Sequence, residues 1–276
     1  VRILTVAHRE IKLGFRNSWT YSFLILLSIF TLALFLLQSG NPSIQGYTDT
    51  TGTMMNMTLY LLPLITLLLG GFSATAEKEN GQWALLSTYP ITAYTFLWGK
   101  WIGLAVILFT MLIFSFGLSG MITILFGQGI SMGTLVFLLL FSFALALIYL
   151  SISLLIGSIA KNRWQALIGG IGVWFLTVII WPLLMISTLS HLPSYTFIQP
   201  ALQTFTLLNP AEFVRIFFVM RVGAGSAFGA SYDEWIIWAT SSYGLMFFIG
   251  ICFFWLLASI LFGGLLWNRG DQSGSE

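Results

Sequence analysis

Gly117-Leu118-Ser119-Gly120 has the Gly-x-Ser-Gly form that can set a serine nucleophile inside a membrane helix, provided that a histidine reaches its hydroxyl. The chain has two histidines, and only His191, just before Leu192-Pro193, could serve; no glycine on a neighbouring helix accompanies it. Ser115, Gly117, Ser119 and Gly120 read more simply as a helix-packing face, and no catalytic nucleophile is assigned. Met54, Met55 and Met57 offer thioether sulfur of a kind that suits Cu(I). Methionine also fills apolar gaps, and nine of them in so apolar a chain will group, so these three are weak metal candidates and no other metal site is expected. His8 and His191 fall on opposite faces and H-E-x-x-H is absent. Cys252 is single, which excludes an intramolecular disulfide and a cysteine-based metal site. Gly99-Lys100 is followed by Trp101 and lacks the earlier glycine of a phosphate cradle, so this chain does not itself hydrolyse ATP.

The elements that must position these residues are membrane helices. Of 276 residues, 58% are hydrophobic and 7% charged, against roughly 25% charged in soluble domains. The 25 Phe, 11 Trp, 9 Tyr and 27 Gly fit a polytopic membrane protein. Eleven basic and nine acidic residues are too few and too scattered to form the basic stripe that a nucleic acid requires.

About 20 apolar residues cross a bilayer core, and that length gives six spans: Trp19 to Leu37, Met54 to Thr75, Phe96 to Phe126, Gly133 to Ile159, Trp164 to Leu189 and Trp235 to Trp267. The third and sixth exceed one crossing, which predicts tilt, a break or extension beyond the membrane. The first is read as retained, because no small-x-small cleavage site follows it. Arg2, Arg9, Lys12, Arg16, Lys78, Lys100, Lys161, Arg163 and Arg269 fall in or beside one alternating set of segments, and Arg215 and Arg221 in the other. The excess of Lys and Arg marks the cytoplasmic side, which places both termini there in a multi-pass protein of the cytoplasmic (inner) membrane.

Residues 1–18 carry Leu4, Ala7, Ile11 and Phe15 at helical spacing beside a basic stripe of Arg2, Arg9, Lys12 and Arg16, the pattern of an interfacial amphipathic helix. A basic flank that merely fixes topology would need only the charges. Residues 190–234 form the longest stretch between spans. Within it, Asn209 as N-cap, Pro210 at the first helical position and Glu212 three residues after the cap predict a helix over 210–221, lying on the outer leaflet or dipping back into it. Phe213, Ile216, Phe217 and Met220 give it one apolar face. Gly223 to Gly229 ends that helix, and Ser231-Tyr232-Asp233-Glu234 forms a capping box that opens the sixth span. A lipid-facing lid with no partner is the plainer reading of this unit. Residues 268–276 form a short cytoplasmic tail, and the whole of 1–276 is one membrane domain.

No proposed span holds an Asp or Glu at its centre, which disfavours an ion-driven carrier. Lys100, about one turn from its span's start, is expected to snorkel to the membrane surface.

Between spans two and three stands Glu77-Lys78-Glu79-Asn80-Gly81-Gln82-Trp83-Ala84-Leu85-Leu86-Ser87-Thr88-Tyr89-Pro90-Ile91-Thr92, with Gly99-Lys100 beyond. Gly81 permits a turn, Trp83 and Leu86 offer an apolar anchor, and Pro90 stops the helix before the chain re-enters the bilayer. This segment resembles the cytoplasmic coupling helix of the ABC-2 family of ABC-transporter permeases. Glu77, Gly81, Leu85, Leu86, Pro90, Ile91, Thr92 and Lys100 occupy that motif's places, while Gln82 and Ala84 depart from the usual Thr and acidic residue. An ordinary amphipathic loop helix is the plainer alternative.

The resemblance extends over essentially the whole chain. It implies an all-α fold like that of type V ABC exporters and a non-catalytic permease subunit that works as a homodimer. It further implies a separate ATPase carrying ATP and Mg, with no cofactor in this chain. ATPase contact would fall to Glu77, Gly81, Trp83, Leu85, Leu86, Pro90, Ile91 and Thr92, helped by Lys161 and Arg163 of the turn after span four. Leu207-Leu208-Asn209-Pro210-Ala211-Glu212-Phe213-Val214-Arg215-Ile216 is similar to the outer segment of permeases from copper-processing systems that mature nitrous oxide reductase in denitrification. That similarity implies a periplasmic partner protein meeting Glu212, Phe213, Arg215 and Arg221. An ABC-2 exporter of a lipid, peptide or drug-like substrate is the alternative that the apolar spans leave open.

Overall fold

The computed structural model describes residues 2–39, 49–81, 92–126, 131–191, 195–223 and 232–272, and all regular structure among them is helical. In chain order come α1 (Arg2–Gly14), α2 (Ser18–Ser39), α3 (Asp49–Glu79), α4 (Ala93–Leu125) and α5 (Met132–Ile159). Next, α6 (Arg163–Trp174) runs through a π-helical stretch, Phe175–Ile180, into α7 (Trp181–Ser190). α8 (Tyr195–Leu208), α9 (Pro210–Arg221), α10 (Asp233–Thr240) and α11 (Ser242–Gln272) follow. Among the described residues six apolar helices are long enough to cross a membrane: Ser18–Leu36, Thr51–Glu79, Ala93–Leu125, Met132–Ile159, Arg163–Ser190 and Ser242–Trp267. The sixth begins later than the sequence predicts. Ser241 breaks the helix, its hydroxyl donating to Trp238 O at 2.7 Å and accepting from Gly244 N at 3.1 Å as the cap of α11.

α5 lies at the centre, packed on α3, α4 and α11; α4 is flanked in turn by α1 and α2, and α6 covers α3. Phe141, Leu145, Tyr149 and Leu150 of α5 are fully buried. Hydroxyls line the α2–α4 interface: Ser28 Oγ lies 2.9 Å from Ser115 Oγ, and Thr31 Oγ1 lies 2.8 Å from Ser119 Oγ. Ser119 is thus a fully buried packing residue, and His191 is exposed with Nδ1 2.7 Å from Ser187 O.

Two small-residue pairs at i, i+4 spacing, Ser153–Gly157 of α5 and Gly99–Gly103 of α4, pack within the chain. Ser153 donates to Leu67 O, and a Cβ at Gly157 would run into Ala74 of α3. At Gly99 a Cβ would meet Val6 and Ile3 O of α1, and at Gly103 it would meet Ala7 O and Glu10. α1 therefore seats its backbone directly against α4.

The pairs Ser28–Ser115 and Thr31–Ser119 set α2 and α4 parallel, which puts the start of α2 level with about residue 105 of α4. The first turns of α4 project past that level, and α1 covers them. α1 buries Val6, Ala7 and Glu10, while Leu4 and Phe15 of the predicted apolar stripe stay exposed. Ala7 thus turns part of the predicted stripe toward α4.

α9 has the bounds the sequence predicts, with Asn209 Oδ1 accepting from Ala211 N at 3.0 Å as its cap. It does not lie on a surface. Phe213, Val214, Ile216 and Met220 are fully buried, and α9 packs against α3, α5, α8, α10, α11 and the π stretch. Asn209 Nδ2 donates to Thr177 O at 2.6 Å, near the midpoint of the 163–190 span, so α9 re-enters the bundle at membrane depth.

Candidate functional site

The chemistry-bearing side chains gather at the end of the bundle that carries α1, around the two ends of the 82–91 segment. α3 delivers Ser73, Glu77, Lys78 and Glu79 on its last turns, and α4 delivers Lys100 one helical layer away. Thr92 caps α4 by accepting from Thr95 N at 3.3 Å. Gly81 closes α3 at φ +66°, the left-handed conformation that glycine adopts without steric cost. Trp83, Leu85, Leu86, Pro90 and Ile91 lie outside the described residues.

Lys100 does not snorkel. Its side chain is 1% exposed, with Nζ 2.8 Å from Glu10 Oε2, 3.3 Å from Glu77 Oε1 and 2.8 Å from Ser73 Oγ. α1 lies over it and supplies Glu10, so the ammonium is met by carboxylates where the sequence reading expected lipid headgroups. Ser73 also donates to Glu10 Oε1, and Arg9 NH1 lies 3.1 Å from Glu77 Oε1. One buried network thus ties α1, α3 and α4. Beside it opens a cavity of about 280 Å³ lined in part by Trp19, Ser73, Glu77 and Arg163.

Two further ties brace the same end. Lys78 Nζ donates to Gly157 O, Ser158 O and Ala160 O at 3.0, 2.7 and 2.9 Å, and lies 4.3 Å from the centre of the Trp267 ring. It thereby satisfies the last carbonyls of α5. Arg163 N donates to Glu79 Oε1 at 2.7 Å, and its Nε lies 3.0 Å from Glu79 Oε2 as an ion pair. Asn162 caps α6 through Gln165 N at 2.9 Å, while the Lys161 side chain is exposed. The structure therefore brings Glu77, Lys100 and Arg163 to the lining of one cavity, while Thr92 caps the start of α4. Sequence reasoning missed Glu10, Ser73 and Arg9. Glu10, the one acid on a basic helix, was the available signal, together with Lys100 flanked by Gly99 and Gly103.

In the first turn of the re-entrant α9, Glu212 and Phe213 are buried, and Arg215 Nε donates to Glu212 Oε2 at 3.1 Å. Glu212 turns to Arg215 and not back to its cap. Burial, reinforced by the Glu212 carboxylate, pushes the neighbouring Tyr232 phenol up to about 12. Of the four residues expected to meet an outer partner, Arg221 is the exposed one, donating to Ser241 O at 3.3 Å. Met54 and Met55 are buried and Met57 is 43% exposed, so the three sulfurs do not share one open mouth. Among the described residues no group of His, Cys, Asp or Glu could hold a metal.

A model of the ABC-2 family transporter protein matches residues 4–272. The chain belongs to the ABC-2 transporter family. Two proteins named probable ABC transporter permease protein NosY are similar to it. That of Stutzerimonas stutzeri is 27% identical over 236 residues, covering 83% of this chain and 85% of that protein. That of Pseudomonas aeruginosa is 26% identical over 242 residues, covering 82% and 85%. This ABC-2 permease is accordingly a multi-pass membrane protein and the permease subunit of an ABC transporter.

Proposed function

We propose that this chain transmits ATP-driven motion from a separate NosF-like ATPase, which carries ATP and Mg, through residues 82–91 into the spans. The observation that carries the reading is the bracing of both ends of that segment. Glu79 is held by Arg163, Glu77 and Lys100 by α1, and Lys78 by the end of α5. Force applied between such ends moves α1, α3, α4 and the α5–α6 turn together, as a two-state rearrangement of packed helices requires. Trp83, Leu85, Leu86, Pro90 and Ile91 are the ATPase anchor, helped by the exposed Lys161 of the α5–α6 turn.

The positive excess puts this end, and both termini, in the cytoplasm of a cell whose inner membrane holds the protein. Similarity to NosY supports a place for the system in copper-site maturation of nitrous oxide reductase. A NosD-like periplasmic protein then meets the opposite end, where Arg221 is presented, and the buried Glu212 and Phe213 support α9 from within. Two copies form the working unit. They pair through faces other than Ser153–Gly157 and Gly99–Gly103, which α3 and α1 occupy.

Affinity purification in mild detergent tests the reading. The parent chain should retain an ATPase and Trp83→Ala should lose it while keeping its helix content. Failure to retain an ATPase in several detergents overturns the coupling assignment. Retention without a periplasmic protein or copper dependence overturns only the NosY-like placement.

A further inference from the structure

The turn that joins α1 to α2 is short and held by its own hydrogen bonds. Arg16 N donates to Leu13 O and Asn17 N to Gly14 O, both at 3.1 Å, and Tyr21 of α2 reaches back to donate its phenol to Phe15 O at 2.6 Å. Just before the turn α1 is seated on α4, where a Cβ at Gly14 would run into Ile107. Lys12 stands two residues from Gly14, about 200° round the helix, and so faces away from α4. Lys12 and Arg16, four residues apart, are both exposed.

Among the described residues no acid answers these two cations. Of the acids at this end, Glu10 is held by Lys100, Glu77 by Lys100 and Arg9, and Glu79 by Arg163. α2 carries no charged residue, and neither does the 82–91 segment. Asp271 and Glu276 follow Trp267, which meets α4 at Phe96, about 16 Å along that helix from Ile107. Two like charges at this spacing repel unless an anion comes between them.

The membrane boundary runs through the same turn. The apolar span begins at Ser18, so hydrocarbon starts where α1 ends. Trp19 and Tyr21, both exposed in the first turn of α2, are of the type that settles at headgroup level. Tyr21, Ile25 and Ile29, at i, i+4 and i+8, make one exposed face of α2 that leads down to the turn. The bond from Tyr21 to Phe15 O sets the foot of that face beside Arg16. An acyl chain lying along it brings its phosphate level with the two cations.

We propose that Lys12 and Arg16 bind the phosphate of an anionic phospholipid in the leaflet at the α1 end, with one acyl chain along Tyr21, Ile25 and Ile29. A zwitterionic lipid offers the same phosphate but brings a further cation to the corner, so the site selects net negative charge. The assignment is independent of the ATPase reading.

The test adds dioleoyl phosphatidylglycerol or dioleoyl phosphatidylcholine to the full chain in maltoside micelles and counts bound lipid by native mass spectrometry. Inorganic phosphate supplies the anion without the chains. One phosphatidylglycerol per chain should be retained at least about fivefold more tightly than phosphatidylcholine, and phosphate should not displace it. Lys12→Gln and Arg16→Gln should each weaken phosphatidylglycerol about fivefold, the worth of one basic residue at an anionic surface. The double variant should hold the two lipids alike and melt with its parent, since both side chains are exposed. Arg2→Gln removes the same charge about 15 Å further along α1 and should change binding less than about twofold. Equal retention of the two lipids by the parent, an unchanged double variant, displacement by inorganic phosphate, or an equal loss in Arg2→Gln overturns the proposal. So does cross-linking of two copies through Ile25→Cys in a Cys252→Ser chain, because a second chain would then cover the face assigned to the lipid.

Discussion

Lys100 Nζ lies 2.8 Å from Glu10 Oε2, with the two side chains 1% and 6% exposed. The pair joins the amphipathic first helix to α4 across a backbone contact that only Gly99 and Gly103 allow. Buried charges are held in place by their partners, and removing one leaves the other unneutralised at about 3–5 kcal/mol. Lys100→Met should therefore lower the melting temperature in detergent by many degrees. Glu10→Met with Lys100→Met should recover part of the loss, since Glu77 keeps Arg9. A Lys100→Met chain that melts with its parent would show that the pair does not hold α1.

Gly103 and Gly117 lie on the same helix and should respond oppositely to alanine. A Cβ at 103 would stand 2.6 Å from Glu10 Cβ and 2.9 Å from the Ala7 carbonyl oxygen, whereas one at 117 meets nothing within 4 Å. Gly103→Ala should cost about 1–3 kcal/mol by overpacking. Gly117→Ala should be neutral or gain up to about 1 kcal/mol from helix propensity. Thermal melting of the two variants side by side decides it, and equal loss in both would refute the contact.

The six spans were legible because each is an apolar run of the length a bilayer requires, and α9 because Asn209-Pro210 and its periodic Phe and Ile residues announce a capped helix. Neither signal reports what covers a helix. The burial of α9 depends on its return to Thr177, and the Lys100 network on α1 folding back over α4, both contacts between residues far apart in sequence. The break at Ser241 escaped notice because a serine cap inside an apolar run carries no proline or glycine at the break itself. The spacing of Ser153 and Gly157 marks close helix approach without naming the partner helix, which the structure shows to be α3.

Asn209 holds α9 by two bonds, accepting from Ala211 N and donating to Thr177 O. Asn209→Asp keeps the cap acceptor and places a carboxylate beside a carbonyl; Asn209→Ala loses both bonds. Alanine should cost about 2 kcal/mol or more, one cap and one buried hydrogen bond. Aspartate should be no better, because the tether to the π stretch is gone and a buried charge replaces it. Hydrogen exchange over residues 210–221 measures the loosening directly. If aspartate protected α9 as asparagine does, the cap alone would fix the helix and the tether to Thr177 would be idle.

Arg163 and Glu79 separate stability from transmission. Their side chains are 42% and 31% exposed, so the ion pair itself contributes at most about 1 kcal/mol. Arg163→Ala should barely change the melting temperature, in contrast to Lys100→Met. The same pair fixes Glu79, two residues before Gly81, to the α5–α6 turn, and this is where a push on residues 82–91 must enter the bundle. Transport supported by the assembled permease and ATPase should then fall several-fold in Arg163→Ala and Glu79→Ala, with ATPase retention on purification unchanged. Exchanging the two charges, Arg163→Glu with Glu79→Arg, should restore part of it. Should Arg163→Ala instead lose stability and ATPase binding together, the pair would be a structural brace of the whole end and not a transmission contact.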